Sequence, residues 1–145
     1  MSLFNLLSVS ASGMAAQRTR AELLVENLAN AETTRTAEGG PYRRRDAIFE
    51  SQTQGSPFSA VFEDSLAAPS VGVAVSGITV DEREPELRYQ PGHPDARPDG
   101  YVAYPRINPA EDMADLMSAA RGYQANVSAM SAVKDMIQRS FDLMR

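Results

Sequence analysis

Every proline in this 145-residue chain, nine in all, falls between Pro41 and Pro109, and seven of the nine glycines fall between Gly39 and Gly100. Proline removes a backbone donor and clashes with the preceding helical turn, and glycine weakens the interior of helix and strand alike. Long helices are therefore confined to the two ends. The chain divides into an N-terminal helical arm (1–34), a β-rich middle (35–108) and a C-terminal helical arm (109–145). The expected class is α+β, with the two arms forming a coiled-coil-like inner domain beside a small β domain.

In the first arm Leu3, Leu7, Ser10, Met14, Gln17, Ala21, Leu24, Leu28 and Ala31 alternate steps of four and three, the spacing of a narrow helical stripe. Its polar members, Ser10 and Gln17, sit in the middle beside Gly13, which adds roughly 1 kcal/mol of helix penalty, so the stripe is weakest at its centre. The last arm repeats the spacing through Met113, Leu116, Ala120, Tyr123, Val127, Met130, Lys134, Ile137, Phe141 and Met144, apolar except at Lys134. Asn108, Pro109 and Glu111 supply an N-cap, a first helical residue and an N3 acid, which sets the helix start at Pro109. Glu111 and Asp112 belong to that first turn, where exchanging either for the other acid should do no harm. Gly122 is expected to loosen or kink the last helix near Tyr123.

In the middle, "VGVAV" puts Val71, Val73 and Val75 on one face of a strand. Ser76 and Gly77 then shift the phase as a bulge would, so that Ile78 and Val80 continue that face. Asp99 and Gly100 signal a turn ahead of "YVAY", a second strand, and "DEREPE" reads as an exposed edge or loop. Arg43, Arg44 and Arg45 read as a solvated strand or a salt-bridging edge. Residues 52–70 are too mixed to assign. A middle of this size buries a marginal core, and two helices of unequal length with narrow stripes cannot fully cover one another. Apolar surface is left for other subunits, and the assembly interface is expected on Leu3, Leu7, Met14, Ala21, Leu24 and Leu28 of the first arm, and on Met113, Leu116, Ala120, Tyr123, Val127, Met130, Ile137 and Phe141 of the last. The alternative is an ordinary α+β monomer whose helices pack on its sheet.

A formal charge of −5 with a single lysine argues against nucleic acid, whose binding draws on cations releasing phosphate counterions. With no cysteine, disulfides and thiolate metal sites are excluded. "LFNLLSV" followed by "SASGMAA" imitates a signal peptide, but the first cation is Arg18 and the apolar stripe runs through the supposed cleavage point, so the segment is expected to be retained.

Nothing proposes a reaction. His93 in "QPGHPDARPDG" reads as a surface turn residue. The same loop resembles a calcium loop in Asp95, Asp99 and Gly100, but has Arg97 and Arg106 where oxygen ligands are required. Asn126-Val127-Ser128 matches a glycosylation acceptor by letter only, since it sits on the last helix. No catalytic, cofactor or metal residue is assigned.

Three separated motifs carry a resemblance. "SASGMAAQRTRAELLVENLANAETT", with Asn27, Leu28, Ala29, Asn30 and Thr33, resembles the N-terminal segment of bacterial flagellar rod and hook proteins. "AARGYQAN", with Arg121, Tyr123, Gln124, Ala125 and Asn126, matches their C-terminal segment, and "PGHPDARPDGYVAYPRINPAEDM" is similar to a proximal-rod subtype. Arg97-Pro98 and Gly122 depart from the family pattern. The resemblance implies a non-enzymatic subunit stacked helically into a hollow shaft in the basal body, crossing the periplasm. It implies export by the flagellar type III apparatus without cleavage. The implied partners are further copies and other axial proteins of the FlgB, FlgF, FlgG and FliE types, with no cofactor. Near a helix end, the amides of Asn27 and Asn30 can satisfy orphan carbonyls or donate to a neighbouring helix. A cytoplasmic adapter docking partner helices is the alternative from another class, and a small hydrolase a third.

Overall fold

The computed structural model describes residues 3–54 and 70–143. Its elements are α1 (Leu3–Ala29), β1 (Arg45–Gln54), β2 (Ser70–Val80), β3 (Glu86–Tyr89), β4 (Tyr101–Tyr104) and α2 (Pro109–Leu143). Two long helices enclose a β-containing middle, an α+β chain as the breakers dictate. Met144 and most of the unassigned stretch lie outside the described residues, as do the side chains of Leu3 and Phe4.

Helix α2 starts at Pro109 because Asn108 caps it: Asn108 Oδ1 accepts from the Ala110 N–H at 3.2 Å, and its carbonyl accepts from the Asp112 N–H at 3.0 Å. The 35 residues of α2 span roughly 52 Å and the 27 of α1 roughly 40 Å. The helices pack antiparallel, since Gly13 meets Asn126, Gln17 meets Gly122 and Arg20 pairs with Asp115 at 3.3 Å. Helix α2 runs on without a break through Gly122. Its missing Cβ makes room for Gln17, whose Cδ lies 3.3 Å from where a Cβ would be. Gly13 does the same for the Asn126 amide, at 3.0 Å. The centre of the seam is thus polar and close-packed, and Gln17 Oε1 is buried there without a donor among the described residues.

Among its described residues the middle holds two antiparallel ribbons, β1–β2 and β3–β4. Ile48 opposes Gly77 and Phe49 opposes Val75, which leaves Ser76 as the extra residue of a bulge at the point the valine phase requires. The Asp99-Gly100 turn also forms. Gly100 has φ of 79° and Tyr89 packs so close that a Cβ there would come within 2.7 Å of the ring. Two strands escape the sequence reading: β1, and β3 at the end of the acidic stretch, where Glu86 to Tyr89 pair with Tyr101 to Tyr104. Asp81 and Glu82 leave β2 into a loop, as expected. Leu23, Leu24, Tyr42, Val102, Tyr104 and Ile107 are buried, and the ribbon β1–β2 rests against α1.

Candidate assembly interface

A buried polar junction joins the end of α1 to the start of β1 and of α2. Asn27 is fully buried and its amide replaces a strand neighbour for Arg45. Nδ2 donates to the Arg45 carbonyl at 2.8 Å, while Oδ1 accepts from the Arg45 N–H at 2.9 Å and the Tyr42 hydroxyl at 3.0 Å. Asn30 works locally. Its Nδ2 donates at 2.9 Å to the Glu26 carbonyl, which also accepts from the Asn30 N–H at 3.1 Å, and its Oδ1 accepts from Thr33 Oγ1 at 3.2 Å. The first motif is therefore a clamp between helix and strand, with Asn27 donating to strand backbone and not to a helix.

Beside it, Arg44 bridges Asp46 at 3.1 Å and Asp112 at 2.9 Å, and Arg45 pairs with Glu26 at 2.9 Å. The arginine run is a salt-bridging edge, with Arg43 exposed. Asp112 is buried, and desolvation raises its carboxyl above the usual range although Arg44 opposes the shift. Burial works against the Arg44 charge, yet the Asp46 hydrogen bond and neighbouring carboxylates hold it above its ordinary value. Burial also raises Tyr42, followed by the nearby Glu26 carboxylate. Sequence reasoning missed Tyr42 and Asp112. It also took acid exchange at Asp112 as harmless, which burial contradicts. Asp112→Glu forces a methylene into a closed ion pair and is expected to cost about 1–3 kcal/mol in chemical denaturation. The exposed Glu111→Asp should stay within about 0.5 kcal/mol.

The two stripes do not face each other. On α2 the buried positions are Asp112, Ala119 and Val133, with Asn126 completing the seven-residue interval against Gly13. That seam runs one residue ahead of Met113, Ala120, Val127 and Lys134, a rotation of about 100° on a 3.6-residue helix. Met113, Tyr123, Val127 and Phe141 are 53%, 43%, 39% and 64% exposed, and Ala120 is exposed too. Leu116, Met130 and Ile137, which border both faces, are half-buried. On α1, Leu24 is buried, while Leu7, Met14, Ala21 and Leu28 are half-buried. The small or polar Ala119, Gly122 and Asn126 permit close approach, and the bulkier residues flank it. Gln17 and Ala21 of α1 then line one groove of about 650 Å³ with Ala119, Ala120, Tyr123 and Val127 of α2. Of the second motif, Asn126 donates to the Gly122 carbonyl at 2.9 Å, Tyr123 and Gln124 line the groove, and Arg121 and Ala125 are exposed. Met117, 57% exposed on the same flank, was not singled out because it falls between stripe positions.

His93 sits in its turn, Nδ1 accepting from the Asp95 N–H at 3.1 Å, and Asp95 ties that turn to Thr34 at 2.8 Å. Among the described residues no cluster of His, Cys, Asp or Glu could hold a metal ion, and no helix is long and apolar enough to cross a membrane.

The described residues thus form a paired set of terminal helices with a clamped β middle and an uncovered apolar flank. Residues 99–143 match the family model described as flagellar basal body rod FlgEFG protein C-terminal. Over nearly its whole length the chain is similar to flagellar basal-body rod proteins called FlgC. Identity is 39% to that of Bacillus subtilis, covering 99% of each chain. It is 34% to that of Borreliella burgdorferi (100% of this chain, 99% of the relative) and 33% to that of Salmonella typhimurium (99% and 98%). The chain belongs to the FlgC family of flagellar basal-body rod proteins.

Proposed function

We propose that the chain is a structural subunit of the flagellar proximal rod, stacked helically with other copies and with FlgB-, FlgF-, FlgG- and FliE-type axial proteins. The arms 1–34 and 109–145 form the inner tube and residues 35–108 face outward. The shaft transmits torque through many parallel contacts and its hollow centre passes exported subunits. No bond is chemically transformed. The carrying observation is that α2 keeps its bulky apolar flank outside its own helix pair, which is costly in a monomer and serves a chain built to be covered.

The chain reaches the periplasm through the type III apparatus with its N-terminus intact. Helix α1 begins at Leu3, and Ser12 Oγ accepts from the Val73 N–H at 3.1 Å, a contact that cleavage near Ala15 would remove. Mass spectrometry of purified basal bodies is expected to find the chain with its first helix complete. A mature form starting near Ala15 would overturn the uncleaved route, and a chain confined to the cytoplasm would overturn the rod assignment in favour of an adapter.

A further inference from the structure

The β1–β2 ribbon has one apolar face with no other element over it among the described residues. Residues directly opposed in an antiparallel pair point to the same side. Phe49 with Val75, Ser51 with Val73 and Ala47 with Ile78 therefore share a face, and the bulge at Ser76 keeps the large side chains of β2 on it. Phe49, Val71, Val73 and Ile78 are 38%, 52%, 40% and 53% exposed. The opposite face carries Gly72, which is buried, the half-buried Ala74, and Ile48, which is 46% exposed. Among the described residues α2 packs on α1 and on none of the strands. The chain thus holds two unlike apolar faces that do not meet within it: the ribbon face and the α2 flank of Met113, Met117 and Val127.

Unlike faces have a geometric consequence. A face that pairs with itself closes a two-fold dimer, whereas a contact between different faces repeats head to tail and grows. We propose that the apolar ribbon face of one copy seats on the α2 flank of the next copy. The proposal rests on the rod assignment, which requires a growing contact. From Val71 to Val80 the ribbon runs roughly 30 Å, and from Met113 to Val127 the flank runs roughly 21 Å. At about 10 Å wide, the shared footprint is a few hundred Å², short of the roughly 800 Å² per partner that a stable pair buries. This contact therefore does not hold a free dimer. It forms where neighbouring contacts in a lattice hold both copies in place.

With no native cysteine, introduced thiols are unambiguous within this chain. Val73 and Met117 are both exposed, so Val73→Cys and Met117→Cys leave the fold intact. Oxidised basal bodies containing the double variant are expected to give a ladder of covalent dimers and higher oligomers on non-reducing gels. Each single variant should stay monomeric, and co-expressed single variants should stop at the dimer. Ile78→Cys with Ala120→Cys is the second pair, used if the first does not assemble. Basal bodies that contain the variant and support swimming but give no ladder would overturn this contact and leave the rod assignment standing. So would a dimer from Val73→Cys alone, or a product joined to a different rod protein. Absence of the chain from purified basal bodies would overturn both.

Discussion

Cells carrying Val127→Glu are expected to lose swimming and to build basal bodies without the variant, although the purified variant folds as the parent does. Val127 is 39% exposed on the groove wall, so a carboxylate there stays hydrated in the free chain, and glutamate is the better helix former. In the proposed shaft the same position is covered by a neighbouring subunit. The variant forfeits about 1 kcal/mol of side-chain burial at each copy, since only the exposed part of Val127 remains to be covered, and an unpaired buried charge adds to that. Symmetry repeats the defect along the rod. Circular dichroism and thermal unfolding of the isolated chain, beside motility and basal-body occupancy, separate the two effects. Met130 is the centre of the stripe by sequence, but it is half-buried in its own chain, and glutamate there would also strain the helix pair. Normal swimming by Val127→Glu cells, with the variant at full occupancy, would mean that the groove is not an assembly surface.

Asn27→Leu should have the largest effect on the isolated chain. Leucine matches asparagine in shape but leaves the Arg45 N–H, the Arg45 carbonyl and the Tyr42 hydroxyl without their partner. Each buried group left unpaired costs about 1–3 kcal/mol, and water reaches the half-buried Arg45 in part, so a loss on the order of 3 kcal/mol is expected in denaturant unfolding. Hydrogen exchange at the Arg45 amide should accelerate with it. Asn30→Ala removes a half-exposed cap and should cost about 1 kcal/mol. Equal effects at the two positions would show that Asn27 is not the clamp.

The parts legible in the sequence are those set by local rules. The placing of long helices at the two ends, the Asn108 cap, the phase shift at Ser76 and the turn at Gly100 each follow from local composition, and each forms. What stayed hidden depends on partners distant in sequence. Asp112 reads as an ordinary first-turn acid until Arg44 arrives from the other side of the middle to bury it. Strand β1, with Asp46, Ile48 and Glu50 on one face and Ala47, Phe49 and Ser51 on the other, has no clear apolar side and is defined by its pairing with β2. The one-residue offset of the α2 seam was hidden for a more instructive reason. Choosing the most apolar stripe assumes that the chain buries its best surface within itself. Here α2 packs through Ala119, Gly122, Asn126 and Val133, and keeps Met113, Met117, Tyr123 and Val127 outside.

Electron cryomicroscopy of isolated basal bodies tests the central claim most directly. The account predicts density for this chain in the axial rod, with Ala120, Tyr123 and Val127 within about 4.5 Å of apolar atoms of a neighbouring subunit. A chain placed off the axis, or an axial chain whose groove faces open solvent in every copy, would contradict it.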